Sequence, residues 1–304
     1  MSPFDILGIG TAAVDDLVYL DHFPVPDSKS DFLSMQRQGG GQTATAMAAA
    51  SRLGARTTFC THLCCDELSD FTISELEKDG VDCSACLRSS SGSPYHSLIL
   101  VDIKAQTRTI LHSGGNVYPP PEHITPELVA SARVLCLDDN SRAAGIKAAR
   151  IARSLGIPVI ADIEPDPPPE HAELLPLVDH LVINRELGAA LTGHSDPARM
   201  ARELSGGRAC CAITAGGEGC WYAMQGQPAL HIPAYPVQVV DTTGCGDVFH
   251  GAYAFALSRG QEIGEALRFA SAVAAMKARF PGGRTGIPRL QEVRQFMIEH
   301  EQGS

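Results

Sequence analysis

The chain has 304 residues, 44% apolar and 19% charged, a composition that supports a sizeable buried core and excludes a disordered chain. Acids outnumber bases by 35 to 24, a formal charge of −11 with no Lys/Arg cluster to offset it, which argues against a nucleic-acid surface because phosphate neutralisation needs concentrated basic charge. No run reaches the roughly 18 apolar residues of a membrane span and the opening MSPFDILGIG lacks the regions of a signal peptide, so a cytoplasmic chain with ten reduced cysteines is expected.

Residues 4–10 form a short apolar run ending in glycines, the pattern of a buried strand that reaches a binding edge. Residues 12–36 mix apolar and acidic positions, and Pro24 and Pro26 break any long helix, so two short strands are expected there. Gly39-Gly40-Gly41 then opens an alanine-rich helix that closes at Leu53-Gly54, followed by a strand over 57–62 and a helix over 66–80. Cys83 and Cys86 have metal-ligand spacing, but a structural zinc needs four ligands and no second such pair exists. Two further strands are expected within 94–113.

From Pro126 the rhythm becomes strand–helix: strands at 132–137, 158–163, 180–183 and 209–214, helices at 142–155 and 186–191, and a proline-rich loop at 165–169. A hairpin-like stretch runs to Val240, and helices are expected at about 247–258, 262–278 and 289–300. This alternation predicts a three-layer α/β domain with a mainly parallel sheet over residues 1–304, with the strand-rich pieces at 12–36 and 94–113 forming a small sheet beside it.

The most informative stretch is an apolar run at 237–240, expected to be a strand, followed by Asp241-Thr242-Thr243-Gly244-Cys245-Gly246-Asp247 and an apolar helix. Gly244, Cys245 and Gly246 can turn their N–H groups toward one point, and the helix dipole adds positive potential there, which suits charge growing on a transferred phosphoryl group. Asp247, beside that point, can accept a proton from an attacking hydroxyl. As a mere helix cap, Asp247 would leave both glycines and Asp241 unexplained. His250, three residues on, is expected to pack or hydrogen-bond rather than react, and Trp221 and Tyr222 to cover the sheet edge.

These residues resemble the Asp-Thr-x-Gly-Ala-Gly-Asp motif of ribokinase-like carbohydrate kinases of the phosphofructokinase-B type. The resemblance spans nearly the whole chain, through Gly39-Gly40-Gly41, Leu191-Thr192-Gly193 and Thr214-Ala215-Gly216-Gly217-Glu218-Gly219. It implies a three-layer ribokinase-like domain with a β-sheet lid, and ATP-dependent phosphorylation of a sugar hydroxymethyl group, with Mg2+ and in some relatives K+. Asp247 would be the base and Gly244, Cys245 and Gly246 the anion hole. Thr214, Gly216, Gly219, Ser271 and Asn184 would lie on the nucleotide side, and Glu186 would reach magnesium through water, although it stands one place early in the family's Asn-x-x-Glu pattern. Asp241 and Thr243 with Gly282 occupy positions that hold a monovalent cation in some relatives. Asp15, Gly41 and Gln42 would face the sugar; Thr45 stands where ribokinase-like enzymes commonly have asparagine. The lid would cover the sugar and carry a homodimer contact.

Within the family the sequence looks most like sulfofructose kinase and, more distantly, ketohexokinases. Lys29 matches a sulfonate-holding lysine, whereas His112 and Asp139 replace the other sulfonate contacts, and Asp139 would repel an anion. A neutral, ketohexose-like sugar is therefore favoured over sulfofructose or a sugar phosphate. Two other classes compete. Gly8-Ile9-Gly10-Thr11-Ala12-Ala13 fits a loose dinucleotide fingerprint, but Pro24 and Pro26 interrupt the helix it requires. A catalytically silent sugar-binding protein would have no use for an intact Asp247.

Overall fold

The computed structural model describes residues 2–90, 94–105, 107–114, 118–165 and 171–302, so most of the proline-rich run and the last two residues lie outside the described residues. In chain order the first half holds β1 (Ile6–Ile9), β2 (Ala13–Leu20), β3 (Ser34–Gly40), α1 (Gln42–Arg52), β4 (Thr57–Cys60), β5 (His62–Cys64), α2 (Glu67–Lys78), β6 (Leu87–Ser89), β7 (Tyr95–Asp102) and β8 (Thr107–Ser113). There follow α3 (Pro126–Ala130), β9 (Val134–Asp138), α4 (Arg142–Leu155), β10 (Val159–Asp162), α5 (His171–Leu174), β11 (His180–Asn184), α6 (Arg185–Thr192) and α7 (Pro197–Leu204). The last part holds β12 (Cys210–Thr214), β13 (Cys220–Ala223), β14 (Leu230–Ile232), α8 (Cys245–Ser258), α9 (Ile263–Lys277) and α10 (Leu290–Gln302).

Eight strands form the central sheet in the order β14-β13-β12-β11-β10-β9-β1-β4, parallel from β12 to β4 and closed at one edge by the antiparallel β13 and β14. Its strands are near-continuous apolar runs because helices cover both faces. On one face α1 and α8 meet very closely: a Cβ at Gly251 would lie 2.1 Å from the carbonyl oxygen of Ala46. Alanines and this glycine thus bring two helix backbones together over the sheet. Asp138, Asp162, Asn184 and Thr214 end their strands at the carboxyl edge, where ligands of open α/β sheets bind.

A second sheet, in the order β3-β2-β7-β8, joins the two early strand-rich segments through a parallel β2–β7 ladder. Its register sets Gln38, Asp15, Ser97 and His112 in one row. Asp16, on the opposite face, accepts two 2.8 Å bonds from Arg37 and faces His96 Nε2 at 2.8 Å, so one buried carboxylate ties three strands.

One expectation fails here. Residues 237–240 are not a strand: β14 is the sheet edge, and the N–H groups of Val240 and Asp241 both donate to the Ala278 carbonyl at the end of α9. The rejection of the dinucleotide reading holds, because the chain after Gly10 enters β2 instead of a helix.

Candidate active site

The glycine motif builds the start of α8. Gly244 is the residue before the helix, with φ +72°, and a Cβ there would come within 2.6 Å of the Gly283 carbonyl oxygen, so glycine is required on both counts. The Cys245 N–H donates to the Thr242 carbonyl at 3.2 Å, whereas among the described residues no acceptor meets the N–H groups of Gly244, Gly246 and Asp247. The free donors at the helix start are therefore these three, with Cys245 turned inward.

Beside them lies a cavity of about 240 Å³ lined by Thr214, Gly216, Gly219, Ser271, Cys245 and Gly246, with Tyr235, Val237, Phe249 and Ala275 as apolar wall. Four of the five residues expected on the nucleotide side thus share one cavity. Asn184 does not line it; its Oδ1 caps α6 by accepting the Leu187 N–H at 2.8 Å. Glu186 is exposed on the first turn of α6. A larger cavity, about 660 Å³ between α8, α9 and α10, contains none of the expected site residues.

Asp247 sits in the first turn of α8 and is not its cap. Burial pushes its pKa up to about 8, with the neighbouring Asp162 and Glu164 charges adding and His250 and Arg284 opposing. Burial also raises the pKa of Asp162 and Glu164, and the acids around them add to it. The buried His250 ring lies between the Gly246 and Val182 carbonyl oxygens, each at 2.9 Å, and 3.3 Å from Asp162. Its bonding role is as expected, and it also locks the first turn of α8 to β11.

The triple glycine makes room for side chains. A Cβ at Gly39 would lie 2.4 Å from Arg284 Nη1 and one at Gly40 would lie 2.2 Å from Asp15 Oδ2, while Gly41 precedes α1 at φ +89° against the Thr11 carbonyl. Arg284 is buried, donating to the Thr45 hydroxyl at 3.1 Å and the Gly40 carbonyl at 2.7 Å, and its Nη1 has no partner. Burial lowers its pKa to about 10, so it stays charged, within electrostatic reach of both Asp15 and Asp247. Burial raises the pKa of Asp15 despite a bond with Ser97 and the Arg284 charge. Gln42, the first residue of α1, has a buried Nε2 without a partner.

Asp15, Gly41, Gln42 and His112 thus gather on the side of the second sheet that faces the Gly282–Arg284 loop, where Gln38 Oε1 accepts the Gly283 N–H at 3.1 Å. Thr45 gives its hydroxyl to Arg284. Asp139 is buried, accepting from the Asn140 side chain at 3.1 Å and the Glu164 N–H at 3.4 Å. Each of its oxygens thus accepts one bond within the protein. Lys29 stands exposed between β2 and β3, at the opposite end of β2 from Asp15, and is not brought to the cleft.

Asp241 is held from several sides. Its Oδ1 accepts from the Thr243 N–H at 2.8 Å and hydroxyl at 2.7 Å, and its Oδ2 from the Gly282 N–H at 2.8 Å. Burial alone would raise its pKa, but these donors and the Lys277 charge hold it below the ordinary value. Arg108 of β8 reaches across a cleft of about 470 Å³ to Asp241 Oδ1 at 3.3 Å and the Thr243 hydroxyl at 2.7 Å. Behind the loop, Lys277 Nζ donates to the Asp241 carbonyl at 3.1 Å and to the Thr243 carbonyl. The cradle expected to hold a monovalent cation thus holds an ammonium group.

Sequence reading missed Arg284, Lys277, Arg108, Asp138, Asp162 and Glu164. Asp138 joins β1, α1 and β9: its Oδ2 accepts from Thr11 N–H at 2.6 Å and the Thr43 hydroxyl at 2.8 Å, its Oδ1 from Asn140 N–H at 3.0 Å. Burial and the Asp139 charge raise its pKa to about 6 against those bonds. The available signal was the pair of acids ending consecutive strands, Asp138 and Asp162, which the register sets side by side.

A family model described as pfkB family carbohydrate kinase matches residues 5–290. A ribokinase of Staphylococcus aureus is 27% identical over 301 residues, covering 94% of this chain and 97% of its own. A crystal structure from Agrobacterium tumefaciens superposes with a TM-score of 0.90 at 26% identity, covering 98% of this chain and 99% of that one. An Arabidopsis thaliana ribokinase solved with ribose and ATP superposes with a TM-score of 0.83 over 98% and 99% of the two chains; at 24% identity it speaks for the fold.

Proposed function

The chain belongs to the pfkB family of carbohydrate kinases and is an ATP-dependent sugar kinase, and from that premise we propose that it phosphorylates a hydroxymethyl group of a neutral, ketohexose-like sugar with Asp247 as base. The observation that carries this reading is the position of Asp247 between the unengaged N–H groups starting α8 and the Asp15–Arg284 cleft. The nucleotide lies along the Thr214–Ser271 cavity with its phosphates at the α8 start. The sugar hydroxyl gives its proton to Asp247 as its oxygen attacks the γ-phosphorus in line, and the bond to the β-phosphate oxygen breaks to leave ADP. The N–H groups of Gly244, Gly246 and Asp247 hold the charge on the transferred group.

Magnesium fits the acid-rich edge. The pKa values of Asp162 and Glu164 are raised chiefly by burial, with neighbouring acids adding and His250 opposing at Glu164, so a cation beside them would favour their charged forms, while among the described residues no three acidic, Cys or His groups form a metal cage. Glu164, Asp162 and Glu186 would hold a hydrated ion through its waters, which when bound offsets the phosphate charge. We read the second sheet as a lid. Met35, Leu98 and Leu111, exposed on its outer face, support a homodimer contact there.

A neutral substrate follows from the surplus of acids around the cleft. A further anion about 4 Å from one carboxylate costs roughly 4 kcal/mol at an effective dielectric of 20. Relatives named ribokinase favour ribose; Thr45, whose hydroxyl accepts from Arg284, departs from the asparagine that ribokinase-like enzymes commonly have there. The test is kcat/KM with fructose, ribose, their phosphates and sulfofructose. Fructose should lead; preference for a phosphorylated or sulfonated sugar would refute the charge argument.

A further inference from the structure

Lys277 closes α9 and is fully buried. A buried ammonium needs full hydrogen bonding or an ion-pair partner, because desolvation otherwise drives the proton off. No carboxylate oxygen lies within salt-bridge distance of Lys277 among the described residues. Two backbone carbonyls, those of Asp241 and Thr243, receive it instead. Both belong to the loop whose next residues carry the free N–H groups and Asp247. Burial lowers the pKa of Lys277, while Cys245, Asp241 and Asp247 oppose that shift and Arg108 adds to it.

The surroundings do not suit an exchangeable metal ion. The Asp241 carboxylate is taken by Thr243, Gly282 and Arg108, and Gly282 contributes an N–H donor there. An ion on the two loop carbonyls would have to displace the ammonium from both of its hydrogen-bond acceptors. Two fixed cations, Lys277 and Arg108, already flank this loop from opposite sides.

We propose that Lys277 is the built-in cation of this loop: a positioning residue whose ammonium replaces a monovalent metal ion and keeps the loop carbonyls turned inward, so that the Gly244, Gly246 and Asp247 N–H groups point outward. The inference rests on the kinase reading for its catalytic consequence, but the ion site itself can be tested without turnover. The enzyme carries this charge permanently and works without potassium.

The first test compares wild-type kcat in potassium, sodium and tetramethylammonium chlorides at equal ionic strength. Equal rates are expected; activation by potassium overturns the proposal. Rubidium-soaked wild-type crystals should show no anomalous peak on the Asp241 and Thr243 carbonyls, and a peak there overturns it without reference to activity. Lys277→Ala should lose about 10²-fold in kcat in tetramethylammonium and regain about tenfold with potassium or ammonium, while its melting temperature rises with potassium. Wild-type turnover in Lys277→Ala without those ions, or failure of both ions to restore rate or stability in a folded variant, refutes the role. If Lys277→Ala does not fold, the wild-type salt series and rubidium soak still decide. If wild type phosphorylates no sugar in any salt, the kinase reading fails while the rubidium result still judges the lysine.

Discussion

The two sides of the candidate site are built by different means. The nucleotide side is made of backbone: N–H groups starting α8, a positive-φ glycine, two carbonyls on Lys277 and a wall of small apolar residues. The sugar side is made of side chains from distant segments: Asp15 on β2, Gln42 on α1 and Arg284 beyond α9, joined through space left by Gly39 and Gly40. A backbone site depends on glycine at fixed positions, and a side-chain site depends on its charges. The first is expected to fail by geometry and the second by loss of affinity.

Asp247 joins the two sides and should give the largest effect. Asp247→Asn keeps the shape and removes the base, so kcat should fall about 10²–10⁴-fold with ATP affinity kept. Near-normal turnover would take Asp247 out of the chemistry. The same carboxyl sets the pH profile. Its pKa is raised to about 8 in the free protein and the base acts ionised, so kcat/KM should fall about tenfold per unit below pH 8 and level off above it. A profile flat across that range would mean that another group accepts the proton.

Next, Gly244→Ala should damage the backbone side. With φ +72° and the Gly283 carbonyl in the way, a methyl group must move the loop, and about 10² in kcat should be lost with sugar KM little changed. Unchanged kcat would show that the α8 start does not need its observed geometry. The smallest effect belongs to the sugar side. Asp15→Asn removes one charged acceptor, so sugar KM should rise about tenfold while ATP KM stays put. A shift in ATP KM instead would erase the division between the two sides.

That division also explains what was legible in the sequence. The Asp241–Asp247 stretch could be read because its chemistry lies in contiguous backbone, and strand–helix alternation identified the central sheet. The run at 237–240 was misread because its valines suit a strand, yet among the described residues no strand pairs with it, and Val239 and Val240 are exposed. Thr45 fell on α1 as expected, but only the fold reveals that Arg284 takes its hydroxyl. Lys29 and Asp139 were placed by resemblance; Lys29 stands exposed at the far end of β2 from Asp15, and Asp139 is held by Asn140 and the Glu164 N–H. Lys277 carried no local signal, because its partners are carbonyls 36 and 34 residues away in sequence, across two helices.

The parallel ladder from Ala13↔Tyr95 to Leu20↔Asp102 bears on how the molecule assembles. β2 meets β3 through a local return of the chain, but its other neighbour arrives roughly 80 residues later, a closure that chain entropy makes slow. The helix α1 and strands β4 to β6 lie within that loop. The row from Gln38 to His112 therefore cannot be complete until this intervening segment has found its place, so on refolding sugar binding is expected to return only after the β2–β7 ladder has closed.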